Sequence, residues 1–277
     1  MDQVANVEMA QAWNGPEGED WARDWERYDK AVQGYHRRLL GAAAGRPGER
    51  ALDVGCGNGQ VARDLATAGL TVLGVDLSAQ MVERGKELAA ELPGADFLVG
   101  DAQVHPFDEG AFDLVVSRFG AMFFADRPAA FRNLARATRP GGRVALVAWQ
   151  PIPANEWLME IRGALALGRD LPSPPIGAAG PFGLADPDET CATLREAGYG
   201  DASATATTEG FWAGRDPDDA YAFLSRSGVV RGLLEALPPE QGEEGLAALR
   251  AVMEAHATGD GVVLGSAAWL YTGTRNA

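Results

Sequence analysis

Short apolar runs alternate along this chain with segments whose apolar residues recur at helical spacing. Before a break at Gly45–Gly48, aromatic and aliphatic side chains recur every three or four positions, which predicts a helix over 16–44. After the break, the pattern predicts strands at 50–54, 71–75, 96–99, 112–117 and 143–149, and helices at 59–68, 79–91 and 127–138. Because strands and helices alternate, we expect a doubly wound, mostly parallel α/β sheet with helices on both faces.

The second half of the chain departs from this alternation. Two further predicted strands, at about 201–212 and 262–274, would complete a seven-stranded, Rossmann-like sheet. Helical segments at 216–236 and 240–257 and the proline-rich stretch Leu171–Pro187 interrupt the pattern. The predicted organisation is an N-terminal helical cover at 1–45, a core at 46–152, and a C-terminal part at 153–277 with helical lid insertions at about 153–182 and 216–258.

The turn after the first predicted strand carries the clearest chemical signal. Asp53 belongs to the apolar run, and Gly55, Gly57 and Gly59 follow it. Glycines are needed where a backbone turns sharply and approaches a ligand with no Cβ atom in the way. In the dinucleotide fingerprint the third glycine comes five residues after the first, whereas here it comes four residues after it. The spacing therefore favours an adenosine-containing cofactor other than NAD.

Carboxylates also end or follow the next two predicted strands. Asp76 ends the second, where it can accept hydrogen bonds from ribose hydroxyls, and Asp101 follows the third, where it can accept from the adenine amino group. Leu77 and Met81 can flank the adenine ring. Each acid also has a structural interpretation, because Asp53 and Asp76 precede helices or turns that a carboxylate can cap and Asp101 lies in a loop.

Five motifs in consistent order resemble those of class I S-adenosylmethionine (SAM) dependent methyltransferases. They are Asp53-x-Gly-x-Gly-x-Gly59, Asp76-Leu-Ser78 with Met81, Gly100-Asp-Ala102, Phe112-Asp-Leu-Val-Val-Ser117, and Leu134-x-Arg-x-x-Arg-Pro-Gly-Gly142. The resemblance is strongest to the branch related to ubiquinone and menaquinone biosynthesis enzymes, and it covers about residues 50–150. It implies the methyltransferase fold and SAM as methyl donor, with S-adenosylhomocysteine (SAH) as product.

The resemblance also implies which residues contact SAM. In chain order they are Tyr28, Asp53, Gly55, Cys56, Gly57, Asp76, Leu77, Met81, Asp101, Ala102, Gln103 and Ser117. The implied reaction is an in-line displacement of the sulfonium methyl group by a nucleophile of the acceptor. Because SAM is already activated, the protein has mainly to align two reactants and exclude water. We expect no metal ion.

The acceptor side departs from the family pattern. Where many relatives carry Leu-His-His after the fourth strand, this chain has Ala121-Met-Phe-Phe124. Either the base lies elsewhere, or the reaction needs none, or the nucleophile is already deprotonated. Side chains that could contact the acceptor are Trp25, Arg118, Met122, Phe123 and Trp149. Arg118 could bind a carboxylate of the acceptor or an acid beside the cofactor. The alternatives are core packing for the apolar residues and a structural ion pair with one of the protein's own carboxylates for Arg118.

Composition narrows the choice of partners. The chain of 277 residues has a net charge of −15, whereas a nucleic-acid enzyme needs a basic face. We therefore expect a small-molecule substrate, and neither nucleic acid nor a membrane as partner. The start lacks the features of a signal peptide, so we expect a cytoplasmic protein. Cys56 and Cys191 are expected to be free thiols, and the three histidines (His36, His105 and His256) fit packing or surface roles better than catalysis.

Taken together, these patterns predict transfer of the SAM methyl group to an O- or C-nucleophile of a small apolar or aromatic metabolite. One alternative is a methyltransferase that acts on a peptide, a protein or tRNA. Another is a SAM-binding regulatory or scaffold protein without methyl transfer, which the absence of the His-His pair keeps open.

Overall fold

A mixed sheet of eight strands forms the centre of the computed structural model, which describes residues 4–171, 177–235 and 237–277. The strands are β1 (Arg50–Val54), β2 (Thr71–Asp76), β3 (Ala95–Val99), β4 (Phe112–Arg118), β5 (Thr138–Trp149), β6 (Ser203–Gly214), β7 (Ala257–Thr258) and β8 (Gly261–Thr274). Their order across the sheet is β3-β2-β1-β4-β5-β8-β6. β1 to β5 are parallel, and β8 runs antiparallel to both β5 and β6.

Twelve α-helices connect and flank the strands in the described part of the chain. They are α1 (Val7–Trp13), α2 (Pro16–Arg23), α3 (Trp25–Ala31), α4 (Gln33–Ala43), α5 (Gln60–Thr67), α6 (Ala79–Leu88), α7 (Arg127–Ala137), α8 (Glu156–Ala166), α9 (Pro187–Ala197), α10 (Pro217–Leu224), α11 (Gly228–Leu234) and α12 (Pro239–Ala255). The doubly wound α/β fold predicted from the sequence is confirmed, with one addition. The short β7 pairs with the start of β8 as a hairpin, and two residues are too few to show an alternating pattern.

The central strands are buried on both faces, as parallel strands covered by helices are. In β1, β4 and β5 the apolar runs around Leu52, Val115 and Leu146 have no exposed side chain surface. Strand order reverses direction between β1 and β4. Because crossovers between parallel strands are right-handed, helices that follow β1 and β2 lie on one face and the helix that follows β4 lies on the other. This arrangement opens a crevice at the carboxyl edge of the sheet.

The start of β5 differs from the prediction. The strand was predicted at 143–149, but the segment Arg139–Gly142 before it also lies inside β5. The pairing with β4 passes from Phe112–Thr138 directly to Leu114–Arg143, so the extra residues form a bulge in which Gly141 has φ +73°. The turn-forming residues therefore mark an irregularity within the strand and not its beginning.

The N-terminal segment is also more broken than the single helix predicted over 16–44. Three helices, α2 to α4, are separated at Asp24 and Val32, and α1 precedes them. Core side chains bond the carbonyl groups at the end of α2: Asn58 Nδ2 donates to Trp21 O at 3.1 Å, and Arg84 Nε donates to Ala22 O at 3.4 Å. These bonds replace those of a continuing helix and let the segment bend around the core.

Helix α8 lies within the segment predicted as a helical insertion at about 153–182, whereas α9 was not predicted. Helix α8 packs against α12 and β8, and α9 packs against α7 and β6. Part of the proline-rich stretch, residues 172–176, lies outside the described residues. No helix in the described ranges is long and apolar enough to cross a membrane.

Candidate active site

One large cavity lies at the carboxyl edge of the sheet, above the β1–β4 neighbour pair. Its volume is about 710 Å³, which is within the usual range for small-ligand sites. The segments that follow β1 to β5 line it, together with residues of α1 to α3, α8, α10 and α11. The crevice expected from the strand order is thus covered by helices from both ends of the chain.

The glycine turn after β1 forms part of the cavity wall. Gly55 and Gly57 have φ values of +64° and +53°, which glycine adopts without strain. A Cβ atom at Gly55 would lie 2.6 Å from the Cα atom of Gly120, because the turns after β1 and β4 pack together. A Cβ atom at Gly57 would meet only Met81 Sδ, at 3.7 Å. The backbone at Gly57 therefore borders open space, which is the cradle that a ligand needs.

Asp53 and Asp76 are buried at the ends of β1 and β2. The Asp76 carboxylate accepts hydrogen bonds from the backbone N–H groups of Gly57 at 2.8 Å and Ser78 at 2.9 Å. It thus orients the glycine turn and still has acceptor capacity for a ligand. Burial raises the pKa of Asp76, and these two N–H groups act in the opposite direction.

The pKa of Asp53 is unusually high for a carboxyl group. Burial raises it to about 7, although the charge of Arg118 and a hydrogen bond from Ala62 N–H lower it. Because Asp53 lines the cavity, a cationic group bound beside it would favour its ionised form. The sulfonium of SAM is such a group.

Asp101 binds the N-terminal segment. Its Oδ2 atom accepts from the backbone N–H groups of Ala5 and Asn6, both at 2.9 Å, and its Oδ1 atom accepts from Gln103 N–H at 3.0 Å. A carboxylate has about four acceptor sites, so room for one ligand donor remains. Asn6 Nδ2 also donates to Phe123 O at 2.7 Å, which fixes the start of α1 at the cavity.

Most of the residues proposed from the sequence meet at this cavity. Of the cofactor set, the cavity wall includes Tyr28, Asp53, Gly55, Cys56, Gly57, Asp76, Leu77, Met81, Asp101 and Ala102. Gln103 and Ser117 do not line it. Gln103 Oε1 accepts from Asp126 N–H, and Ser117 Oγ donates to Val54 O and accepts from Ala121 N–H. Both therefore support the loops around the cavity.

The proposed acceptor residues divide in the same way. Arg118, Met122, Phe123 and Trp149 line the cavity, but Trp25 does not. The Trp25 ring instead lies 5.5 Å from the Arg63 guanidinium carbon. On α2 and α3, the aromatic residues that reach the cavity are Trp21 and Tyr28.

Arg118 is held in a polar network. Its Nη2 atom donates to Asp29 Oδ1 at 2.6 Å, and its Nη1 atom contacts Gln60 Oε1 and His36 Nδ1, the latter at 3.3 Å. The Arg118 and Asp29 side chains are only 13% and 10% exposed. The ion pair with a carboxylate, one of the two interpretations offered above, is therefore present, and it joins α3 to the end of β4.

Two rows of aromatic rings line the cavity. The first, which we call the aromatic wall, is formed by Phe119, Trp149, Trp157 and Phe211. Successive ring centroids in it are 4.1, 5.6 and 4.8 Å apart. The second, which we call the cover row, is formed by Phe123, Trp13, Trp21, Tyr28 and Phe223, with successive centroids 5.3, 5.8, 3.7 and 5.1 Å apart.

Sequence reasoning missed several of these rings. Trp157 and Phe211 lie far along the chain from the motifs, and Trp13 lies in a helix that was not predicted. The signal that could have found Trp157 is its position just after β5, since segments that follow parallel strands border the crevice. No such rule identifies Phe211 or Phe223.

The histidines lie away from the cavity wall as the structure describes it. His36 is buried between Arg118 and Asp64, and its Nε2 atom lies 2.7 Å from Asp64 Oδ2. Burial and the charge of Arg118 lower its pKa, while Asp64 acts in the opposite direction. His105 packs beside Phe107, and His256 Nδ1 lies 2.9 Å from Val252 O at the end of α12.

Comparison with known proteins agrees with this geometry. Residues 52–146 match the family described as "Methyltransferase domain". The chain is 38% identical over 119 residues to a demethylmenaquinone methyltransferase of Beutenbergia cavernae, which covers 43% of this chain and 48% of that protein. It is 36% identical over 182 residues to the nocamycin O-methyltransferase of Saccharothrix syringae, which covers 59% of this chain and 63% of that protein. The chain thus spans about half to three fifths of these relatives.

The fold is also similar to that of a solved methyltransferase. A phosphoethanolamine N-methyltransferase of Haemonchus contortus, solved in complex with SAM, superposes with a TM-score of 0.60 at 17% identity, covering 99% of this chain and 61% of that one. Residues 52–146 of the chain are thus a methyltransferase domain. Its resemblance to the quinone-biosynthesis branch is confirmed by the relatives found.

Proposed function

We propose that this protein transfers the methyl group of SAM to an oxygen or carbon nucleophile of a small apolar or aromatic molecule. The observation that carries the proposal is the composition of the cavity. One continuous cavity joins the glycine turn and three strand-end carboxylates to the aromatic wall. A site of this kind can hold a polar, cationic donor and an apolar acceptor side by side. The printed names of the relatives, which include an O-methyltransferase, support the same class of reaction.

The residues present fit SAM. In our proposal Asp76 accepts from the ribose hydroxyls, Leu77 and Met81 contact the adenine ring, and the remaining acceptor site of Asp101 takes the adenine amino group. Asp53 and the backbone of Gly55 hold the methionine moiety. The cavity wall carries more carboxylates than cations, which favours a ligand with a net positive charge.

The protein's contribution to the reaction is alignment and exclusion of water. When bound, SAM supplies a methyl group that is already activated by the sulfonium. The N-terminal members of the cover row, Trp13, Trp21 and Tyr28, cover the cavity from one side, and the side chains of α10 and α11 cover it from the C-terminal part of the chain. Helices α1 to α4 would thus act as a cover, and α8 with α10 to α12 as a lid. When water is excluded from such a site, the nucleophile can approach the methyl group without solvent between them.

The geometry favours a small molecule over a polymer. A peptide or tRNA substrate needs an open groove, whereas helices from both ends of the chain cover this cavity. The charge of −15 also opposes binding to RNA phosphates. The two free, buried cysteines fit a reducing compartment, so we place the protein in the cytoplasm.

Two measurements test the proposal. Isothermal titration calorimetry should show that the protein binds SAM and SAH, and that NAD does not bind. Incubation with SAM and a mixture of small phenols and enols should release SAH, with the methyl group recovered on the acceptor. Binding of SAM without release of SAH for any acceptor class would favour the non-catalytic role instead.

A further inference from the structure

We propose that the acceptor is a flat molecule with an aromatic or conjugated ring system and with no carboxylate, phosphate or sulfate group. This inference rests on the proposed methyl transfer, because it concerns the acceptor end of the same cavity. It goes further by stating which shape and which charge the site selects.

The position of the aromatic wall separates it from the polar strand ends. Asp53 and Asp76 come from β1 and β2, whereas Trp149 ends β5 and Phe211 lies in β6. In the sheet, β4 and β5 follow β1 on the side away from β2, and β6 lies at the far edge. Since neighbouring strands are about 4.8 Å apart, the two sets of residues lie over different halves of the sheet. The wall therefore belongs to the part of the cavity that the donor's polar contacts do not define.

Stacked rings give this half of the cavity its shape. Phe119 and Trp149 are stacked at 4.1 Å with an angle of 23° between their planes, and Trp157 and Phe211 are stacked at 4.8 Å with an angle of 12°. Apolar side chains of Phe182, Leu224 and Val229 line the cavity as well. Offset stacking and edge contacts favour a planar ring system over a saturated one of the same size. The wall thus selects for flatness as well as for apolarity.

The charges of the cavity exclude an anionic acceptor. Among the described lining residues are the carboxylates of Glu17, Asp29, Asp53, Asp76 and Asp101. Arg118 is the one cation among these described lining residues. Both of its terminal nitrogen atoms already contact protein groups, namely Asp29, Gln60 and His36. Glu17 pairs with Arg231, which lies outside the wall, at 2.8 Å. An acidic substituent would meet like charges, and the charge of Arg118 is already paired with the Asp29 carboxylate.

Three ligands with one carbon skeleton separate shape from charge. We suggest 2-naphthol, decahydro-2-naphthol and 6-hydroxy-2-naphthoate, with the methyl ester of the last as a control for its size. Each is titrated into the full-length protein loaded with SAH, and its affinity is measured by calorimetry. We expect 2-naphthol and the ester to bind at least tenfold more tightly than decahydro-2-naphthol and the free carboxylate.

Equal affinity of the saturated alcohol would overturn selection for flatness, and equal affinity of the carboxylate would overturn exclusion of anions. Failure of 2-naphthol to bind the SAH-loaded protein would overturn both. These outcomes are distinct from failure of the proposed function. That failure would appear as the absence of SAM and SAH binding in the same instrument.

Variants of two tryptophans test whether the aromatic wall binds 2-naphthol. Trp157→Leu should weaken 2-naphthol binding at least tenfold without changing SAH affinity, and Trp157→Phe should retain most of the binding. Trp212→Leu is the matched control, since its ring contacts Lys30 at 3.7 Å and lies outside the cavity wall. Unchanged 2-naphthol affinity in a folded Trp157→Leu protein, or equal losses in both leucine variants, would contradict the role of the aromatic wall.

Discussion

The two halves of the cavity are built in different ways. The donor half comes from three successive strand–turn units, so Asp53, Asp76 and Asp101 each lie within a few residues of a strand end. The acceptor half is assembled from segments far apart in the chain, since Trp149, Trp157 and Phe211 lie on β5, α8 and β6. The local geometry of strand and turn fixes the first half, whereas the second half depends on how distant segments of the chain pack together. We therefore expect substitutions in the donor half to change the affinity for SAM, and substitutions in the acceptor half to change which acceptors bind.

The ion pair between Arg118 and Asp29 joins these two halves, and its removal should have the largest effect. Arg118→Met removes the guanidinium that lies 2.6 Å from the buried Asp29 carboxylate and leaves the more distant Arg63, at 3.9 Å, as its charged partner. We expect a loss of about 3 kcal/mol in the free energy of unfolding, measured by urea denaturation. Arg139→Met is the control, because Arg139 is 46% exposed in its pair with Asp113 and should cost less than about 1 kcal/mol. Similar losses for both variants would show that Arg118 does not fasten α3 to the sheet.

Loss of Asp76 should have the next largest effect, and it should be confined to the donor half. Asp76→Ala removes the acceptor for the ribose and frees the N–H group of Gly57. Hydrogen bonds to a charged group contribute about 1.5–3 kcal/mol each, so SAM affinity should fall about 100-fold in calorimetry. Asp96→Ala, at an exposed position of β3, should leave the affinity unchanged. Tight SAM binding by Asp76→Ala would refute the assignment of the ribose to this residue.

The contrast between the halves also explains what the sequence could predict. The glycine turn and the strand-end acids are local patterns, and ten of the twelve residues proposed for the cofactor line the cavity. Gln103 and Ser117 do not, because their side chains bond neighbouring loops, a detail that spacing does not reveal. Trp21 lines the cavity in place of the predicted Trp25 for a similar reason. The break at Asp24 changes the direction of the helix, so a single helical period no longer tells which ring faces inward.

Protonation should change SAM affinity by about tenfold through Asp53. Its pKa of about 7 lies above the usual range of carboxyl groups, and a cationic ligand beside it favours ionisation. SAM should therefore bind about tenfold more weakly at pH 6 than at pH 8, because a proton must leave Asp53 when the ligand binds. SAH lacks the sulfonium charge and should show a smaller dependence. Asp53→Asn should remove the difference between the two ligands; if it persists, another group is responsible.

The smallest expected effect comes from the contact between the cover and the donor half. Asn6→Ala removes the hydrogen bond to Phe123 O but keeps the backbone bond to Asp101. One such bond contributes about 1 kcal/mol, so SAH should dissociate about fivefold faster in stopped-flow measurements, with little change in its association rate. Gln11→Ala is the matched control, because it removes an exposed side chain of the same helix. If both variants release SAH at the wild-type rate, the N-terminal cover does not retain the cofactor, and the donor half is complete without it.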